Sequence, residues 1–307
     1  MDRLQPSVAT GSHIERELAS QPDVWQQVTD HLDDHAAVLP GRGERVAAVG
    51  CGTSLYMARA YAALREAAGQ GETDAFPASE YPFGRTYDRV VGITRSGTTT
   101  ELVDALARVA TSGQRSTAIT VDAATPAATA ATDVIELASA TEESVVQTRF
   151  PSAVLALLRA SLGEDLRPVI DAARGAVGDA LPLVPGAQRQ ITFLGRGWAA
   201  AIAEEAALKC REAAGAWTES YPAMEYRHGP ISVSGDDTAV WVFGATPAGL
   251  ADDVRATGAT LVDDDLDPMV DLIRAQRLAV GLARHHGRDP DQPQSLSFSV
   301  ILEPGSR

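Results

Sequence analysis

The chain has 307 residues, 45% of them hydrophobic, and a formal net charge of −15. This length and composition predict two domains of ordinary size or one large α/β domain, and they exclude a globally disordered chain. The acidic balance, without any run of lysine and arginine, argues against a nucleic-acid-binding protein. A local set of amides and hydroxyls would still suit a phosphorylated metabolite.

The remaining bulk features predict a protein of the cytoplasm. Two cysteines, Cys51 and Cys210, are too few for a disulfide framework. The first residues lack the basic start and apolar run of a signal peptide, and no stretch is apolar for long enough to span a bilayer. His31 and His35 have the spacing of helical metal ligands, but their polar surroundings favour a solvated pair. We therefore predict no metal, no cofactor and no membrane partner.

The first half of the chain alternates predicted strands with helices. A helical segment over residues 1–40 comes first, and a first subdomain over 41–165 follows it. Here a buried strand over 45–49 runs into a glycine turn and a helix. The other elements of this half are a helix over 55–68, strands over 88–94, 116–121 and 133–137, and helices over 101–110 and 151–162.

The pattern restarts after a helical linker predicted over residues 166–187. A second subdomain over 188–307 opens with a strand, the turn Gly195-Arg196-Gly197 and a helix. Its predicted elements are strands over 190–194, 238–243 and 260–263 and a helix over 199–214. Two such units in tandem indicate an α/β protein with duplicated subdomains, each a parallel sheet flanked by helices. Ligands of such sheets bind at the carboxyl ends of the strands.

Two turns at predicted strand ends combine glycine with hydroxyl groups and lead directly into helices. They read Gly50-Cys51-Gly52-Thr53-Ser54 and Thr94-Arg95-Ser96-Gly97-Thr98-Thr99. Free amides of a first helical turn, with hydroxyl donors, suit a phosphate dianion, and Arg95 would add a charged contact. One such turn would be explained as well by helix capping, but two favour a phosphate pocket. A dinucleotide site is disfavoured because Leu55 stands where the fingerprint needs its third glycine.

A second cluster points to proton transfer. Glu205, Lys209 and Glu212 are spaced to share one face of the helix over 199–214, and His228 follows in a turn with Gly229 and Pro230. A carboxylate, an amine and an imidazole near a phosphate turn can move protons on a small anionic molecule. The alternative is a solvated Glu205–Lys209 salt bridge and an unrelated loop histidine.

With these motifs placed, the chain resembles the sugar isomerase (SIS) family, in particular the isomerase half of glucosamine-6-phosphate synthase and its stand-alone relatives. The similarity covers almost the whole chain, and its motifs occur in the family order. They are the segment from His13 to Pro22, Cys51 to Ser54, Ala78 to Glu80, Ser96 to Thr99, Leu194 to Gly197, the Glu205–Lys209–Glu212 set, His228 to Pro230, and Asp289 to Pro293.

The resemblance implies two SIS subdomains, usually in a homodimer with a shared active site. It implies that the sugar phosphate is held by Ser54, Thr94, Arg95, Ser96 and Thr99, with Cys51, Gly52 and Thr53 beside it in the substrate pocket. By the same resemblance Glu212 would shuttle a proton between sugar carbons 1 and 2, and His228 would open the ring from the partner subunit. Lys209 would help to relay the proton, and Glu205 would orient the pair.

Two departures from the synthase narrow the expected reaction. The chain starts at the isomerase half, so we expect no glutaminase nucleophile in it, and Phe298 stands where the synthase has its Schiff-base lysine. The leading hypothesis is an aldose–ketose isomerase or aminosugar-phosphate deaminase that works through an enediol or enolamine. A non-catalytic sugar-phosphate sensor and one subunit of a split synthase are the alternatives.

Overall fold

In the computed structural model, which describes residues 12–303, two parallel sheets lie between layers of helices. Parts of the predicted helical segment (residues 1–11) and of the second predicted subdomain (residues 304–307) lie outside the described residues. The strands are β1 (Val46–Gly50), β2 (Thr73–Pro77), β3 (Arg89–Ile93), β4 (Arg115–Thr120), β5 (Asp133–Glu136), β6 (Gln190–Gly195), β7 (Thr218–Pro222), β8 (Thr238–Phe243) and β9 (Thr260–Val262). The α-helices are α1 (His13–Asp30), α2 (Leu32–His35), α3 (Thr53–Ala67), α4 (Thr100–Thr111), α5 (Pro126–Ala130), α6 (Arg149–Ser161), α7 (Arg167–Ala176), α8 (Trp198–Ala214), α9 (Leu250–Ala256) and α10 (Pro268–His285).

Both sheets have the same strand arrangement. The first sheet has the order β2-β1-β3-β4-β5 and the second β7-β6-β8-β9, and every pairing is parallel. The predicted fold class, tandem α/β subdomains with helix-flanked parallel sheets, is confirmed. The boundaries at 41, 166 and 188 stay a prediction.

The central strands form because their apolar runs are buried on both faces, as parallel sheets require. All five residues of β1 and of β3 are buried, as are all six of β6 and of β8. The edge strands β2 and β7 were not predicted. Each combines acidic and hydroxyl residues with one aromatic residue and a proline and is only partly buried, so no continuous apolar run marks it.

The two subdomains share one hydrophobic core. A single cluster of buried side chains includes Val46 and Ile93 of the first sheet together with Phe193 and Trp241 of the second. Helix α8 lies between the sheets and packs against both α3 and α10. This helix therefore carries its polar side chains to helix α3 of the first subdomain.

Helix α1 is fastened to distant parts of the chain. Its first backbone amides, those of His13 and Ile14, donate to the carboxylate of Asp291 at 2.8 and 2.9 Å. The Trp25 indole donates to Ser152, and the Gln21 amide donates to Gln276 of α10. An acidic side chain at these otherwise unpaired donors stabilises the start of the helix.

Candidate active site

The two hydroxyl-rich turns meet at one edge of the first sheet. Strands β1 and β3 are parallel neighbours, so the turns after Gly50 and Ile93 both lie at their carboxyl ends. They line one small cavity of about 30 Å³. All five side chains predicted to hold a phosphate are among its lining residues, which are Cys51, Ser54, Ile93, Thr94, Arg95, Ser96, Thr99, Leu102, Gln147 and Phe298. The turns therefore bring the predicted phosphate residues together.

Gly97 gives the second turn its shape. Its φ of +65° lies in the left-handed region, and a Cβ placed there would be 2.2 Å from Oγ1 of Thr125. The Gly97 amide donates to the Thr94 hydroxyl at 3.1 Å, and the next amide, that of Thr98, donates to Ser96 at 3.2 Å. Only glycine fits this conformation and this space together.

Gly52 and Thr53 do not line the cavity. Gly52 is the exposed residue before helix α3, with a φ of +54°, and the buried Thr53 faces away towards the second subdomain. There the Thr53 hydroxyl accepts a hydrogen bond from Nζ of Lys209 at 2.9 Å. Thr53 is therefore placed to join the turn to helix α8, rather than to contact a group in the cavity.

The acidic and basic side chains of α8 form one cluster. Nζ of Lys209 lies 2.5 Å from a carboxylate oxygen of Glu212 and 3.4 Å from one of Glu205. Glu205 and Lys209 are buried, whereas the Glu212 side chain is 20% exposed. The predicted common face is thus present, and the solvated salt bridge offered as the alternative is excluded by burial. Glu212 is therefore the member of the cluster that is in contact with solvent.

Burial controls the protonation of this cluster. Burial raises the pKa of Glu205, the positive charge of Lys209 lowers it in part, and the negative charge of Glu212 raises it again. The resulting pKa is about 8. Burial alone would lower the pKa of Lys209, but Glu205 and Glu212 outweigh it and leave that pKa above its ordinary value. At neutral pH Glu205 therefore holds a proton, and Lys209 stays charged.

Arg95 is buried beneath the cavity, and its terminal nitrogens are occupied. They donate to the carbonyl oxygens of Ser144 at 2.7 Å, Val145 at 3.2 Å and Phe298 at 3.1 Å. Nη1 also lies 3.7 Å from the buried carboxylate of Glu142. Burial lowers the pKa of Arg95, against the opposing pull of Glu142. Arg95 therefore fastens the cavity wall and adds positive charge beneath it.

Gln147 is a lining residue that the sequence did not predict. Gln147 lines the cavity, and its Oε1 is buried without a hydrogen-bond partner among the described residues. Its loop is held in place by two buried carboxylates, because Glu17 accepts from the Ser144 amide and Glu142 from the Thr148 amide. No local motif marked Gln147, since its role depends on this long-range support.

His228 lies apart from the cluster within one chain. It ends an exposed 3-10 turn, Glu225–His228, and no contact within the described part of the chain joins it to Lys209 or Glu212.

Over residues 12–303 there is no group of three or more histidine, cysteine or acidic side chains that could hold a metal ion. Nor is any helix of that span both long and apolar enough to cross a membrane.

Comparison with curated proteins shows what the chain is similar to. The glutamine–fructose-6-phosphate aminotransferase (isomerizing) of Methanothermobacter thermautotrophicus is 27% identical over 94% of this chain and 57% of its own length. The chain is thus similar to proteins of the sugar isomerase (SIS) family, as the resemblance predicted. It spans about half the length of the curated relatives it matches. No family model matches it.

Solved structures share the SIS fold. Glucosamine-6-phosphate deaminase from Thermotoga maritima superposes with a TM-score of 0.79 at 22% identity, covering 95% of this chain and 100% of the other. Tagatose-6-phosphate ketose/aldose isomerase from Escherichia coli gives a TM-score of 0.74 at 20% identity, covering 99% of this chain and 100% of the other. The architecture is thus common to SIS proteins named for different reactions.

Proposed function

We propose that this SIS chain is an enzyme that enolises the open-chain form of a sugar 6-phosphate. The reaction is aldose–ketose isomerisation, loss of the amine from an aminosugar 6-phosphate, or both. The observation that carries the proposal is the position of Lys209, which joins Glu212 to Thr53 at the start of α3, beside the cavity-lining Ser54. This contact connects the partly exposed carboxylate of Glu212 to the helix whose first turn supplies a hydroxyl donor to the cavity.

In this proposal the hydroxyls of Ser54, Thr94, Ser96 and Thr99 anchor the phosphate, supported by the positive charge of Arg95 beneath them. Cys51 lies in the same wall. Anchoring one end of an extended sugar fixes the distance of carbons 1 and 2 from the turn. A 6-phosphate is the class proposed because it lets those carbons reach the α8 cluster while the phosphate stays in the turn.

Glu212 is the proposed base. Its carboxylate takes the proton from the carbon next to the carbonyl, and the electron pair moves onto the carbonyl oxygen to give an enediolate. A proton passes from the neighbouring hydroxyl to that oxygen, and Glu212 returns its proton to the other carbon. Lys209 pairs with Glu212 and provides a positive charge where oxygen becomes negative. Because Glu205 is protonated at neutral pH, the positive charge of Lys209 interacts mainly with Glu212. In an aminosugar phosphate the enolamine is protonated at carbon 1 to give an imine at carbon 2, and water hydrolyses this imine to the ketose phosphate and ammonia.

His228 completes the proposed site from a second subunit. It is exposed and apart from the cluster within its own chain, which suits a residue that acts in a partner's site. We therefore propose a homodimer in which His228 of one chain opens the sugar ring beside Glu212 of the other. Phe298 offers no amine, so the mechanism runs without a lysine imine.

Deuterium wash-in tests the proposal. The protein is incubated in D2O with the 6-phosphates of glucosamine, galactosamine, fructose and tagatose, and exchange at carbons 1 and 2 is followed by NMR. Glu212→Gln is expected to lower exchange by about 10²–10⁴-fold while sugar-phosphate binding persists. Glu204→Gln is the matched control, because Glu204 lies on the same helix but pairs with Arg59 instead of Lys209.

The outcomes separate the candidate functions. Release of ammonia identifies a deaminase, whereas exchange without ammonia identifies an isomerase. Binding without exchange contradicts an enzyme and favours a sugar-phosphate sensor. Aminosugar formation only with an added glutaminase subunit would favour a split synthase.

A further inference from the structure

The segment over residues 296–302, here called the C-terminal strap, lies across the candidate phosphate turn. Its central hydroxyl, Oγ of Ser299, lies 3.1 Å from Oγ of Ser96, 2.9 Å from Oγ1 of Thr98 and 3.5 Å from Oγ1 of Thr99. Three hydroxyls of the turn thus converge on one oxygen of the strap. An oxygen surrounded in this way occupies the place that an oxygen of a bound oxyanion would take.

The strap also uses the amide at the start of helix α4. The Thr100 amide donates to the carbonyl oxygen of Val300 at 3.2 Å, and the Leu302 amide donates to the Thr100 hydroxyl at 2.9 Å. This amide belongs to the first turn of α4, whose donors have no partner within the helix and are the ones an anion would use. The strap therefore occupies both kinds of donor that the turn offers.

Arg95 fastens the strap from below. One guanidinium nitrogen donates to the Phe298 carbonyl oxygen, and the guanidinium carbon lies 3.8 Å from the centre of the Phe298 ring. The cavity left under the strap is small, about 30 Å³, and Phe298 of the strap forms part of its wall.

We infer that the strap and a phosphate group exclude each other, so that a phosphorylated ligand binds only after it has displaced the strap from the turn. The inference rests on the proposed function, since it assumes that the turn is the phosphate site. It makes Ser299 an internal competitor for the hydroxyls of Ser96, Thr98 and Thr99. The measured affinity is then the affinity of the open turn multiplied by the fraction of molecules in which the turn is open.

The composition of the strap suits a segment that is released. It has no regular secondary structure, and its apolar side chains are largely exposed: Leu296 at 44%, Val300 at 50% and Ile301 at 70%. Lifting it therefore breaks a few polar contacts and uncovers little additional apolar surface. Its closure depends on those polar contacts, and single substitutions should shift it.

Matched serine variants test the competition. Ser299→Ala is expected to strengthen binding of inorganic phosphate and of glucosamine 6-phosphate about threefold to tenfold in calorimetry, because the closed state loses hydrogen bonds. Ser299→Asp places a carboxylate among the same donors and is expected to weaken both ligands. Ser297→Ala is the control, because the Ser297 hydroxyl bonds within the strap, to the Ser299 carbonyl oxygen, and not to the turn.

Hydrogen exchange supplies an independent measurement on the unaltered protein. Saturating glucosamine 6-phosphate is expected to speed amide exchange over residues 296–302, with the Leu302 amide losing its partner. Slower exchange with ligand, or weaker binding by Ser299→Ala, would overturn the inference by showing a strap that closes over the ligand. Equal affinity in all three variants would overturn it alone and leave the proposed function standing. Absence of phosphate and sugar-phosphate binding in every variant would remove both.

Discussion

At the scale of single residues, the proton on Glu205 decides how the α8 cluster works. Glu205 is completely buried, and its only close charged partner among the described residues is Lys209 at 3.4 Å, a cation that lies nearer to Glu212. Keeping Glu205 neutral avoids a second buried negative charge, which would be costly in this setting. It also leaves the positive charge of Lys209 to interact with the partly exposed carboxylate of Glu212.

The pH dependence of stability follows from this proton. Because burial raises the pKa of Glu205 from 4.5 to about 8, the folded protein keeps a proton that the unfolded chain releases in this range. The stabilisation that this proton gives the folded state is fully present below pH 4.5 and is lost as pH rises towards 8. The free energy of unfolding should therefore fall over this window. Glu205→Gln should reduce that fall by on the order of 2 kcal/mol.

Urea unfolding at several pH values between 5 and 8 measures the effect. Asp271, whose pKa burial raises to about 6, remains in the variant and accounts for a residual slope at the acidic end. Equal slopes in both proteins above pH 6 would show that Glu205 is ionised in the folded state.

At the scale of elements, the sequence was informative where structure is local. Apolar runs that end in Gly50, Ile93 and Gly195 predicted central strands and the turns after them, because such runs are buried on both faces of a parallel sheet. The two hydroxyl-rich turns were predictable as well, since they follow those strands, whereas the binding of a phosphate by their five residues stays a prediction. Their arrangement around one cavity follows from the pairing of β1 with β3.

The parts that were not predictable depend on contacts between distant segments. Lys209 meets Thr53 across a separation of 156 residues, and Ser299 meets Ser96 across 203. Nothing around Thr53 indicates that its side chain faces another subdomain. Arg95 reads locally as a ligand of an anion, yet its donors are used by carbonyl oxygens from two other segments.

Gly97 provides a prediction at this scale. Gly97→Ala should destabilise the protein by about 3 kcal/mol and weaken phosphate binding, because the new Cβ would meet Thr125 as well as adopt a left-handed conformation. Gly113→Ala is the control: its φ of +74° carries the same backbone cost, but nothing lies within 4 Å of the new atom. Denaturant unfolding of the two variants compares them. Equal losses near 1 kcal/mol would mean that the turn has room for a side chain.

At the scale of the whole molecule, the candidate site belongs to both subdomains. The first supplies the hydroxyl turns and the second the acidic helix, and the shared core fixes their relative position. The exposed His228 extends this division to a second chain in the proposed dimer.

Mixing two inactive variants tests the shared site. Glu212→Gln and His228→Ala are each expected to lack activity, but a mixed dimer would contain one site with both residues intact. Random exchange of subunits should therefore restore about a quarter of the original activity. Each variant incubated alone is the control, and light scattering establishes the dimer. No recovery despite demonstrated exchange would place both residues in a site formed by one chain.

The contact of Asp291 with helix α1 has a consequence for the order of events during synthesis. The acceptor for the His13 and Ile14 amides is encoded 278 and 277 residues later, so the first helix cannot complete its amino-terminal bonds until Asp291 has left the ribosome. Ser299 emerges after Asp291, so the turn that the strap covers stays uncovered on the nascent chain. A ligand present during synthesis thus meets the open turn before its internal competitor exists.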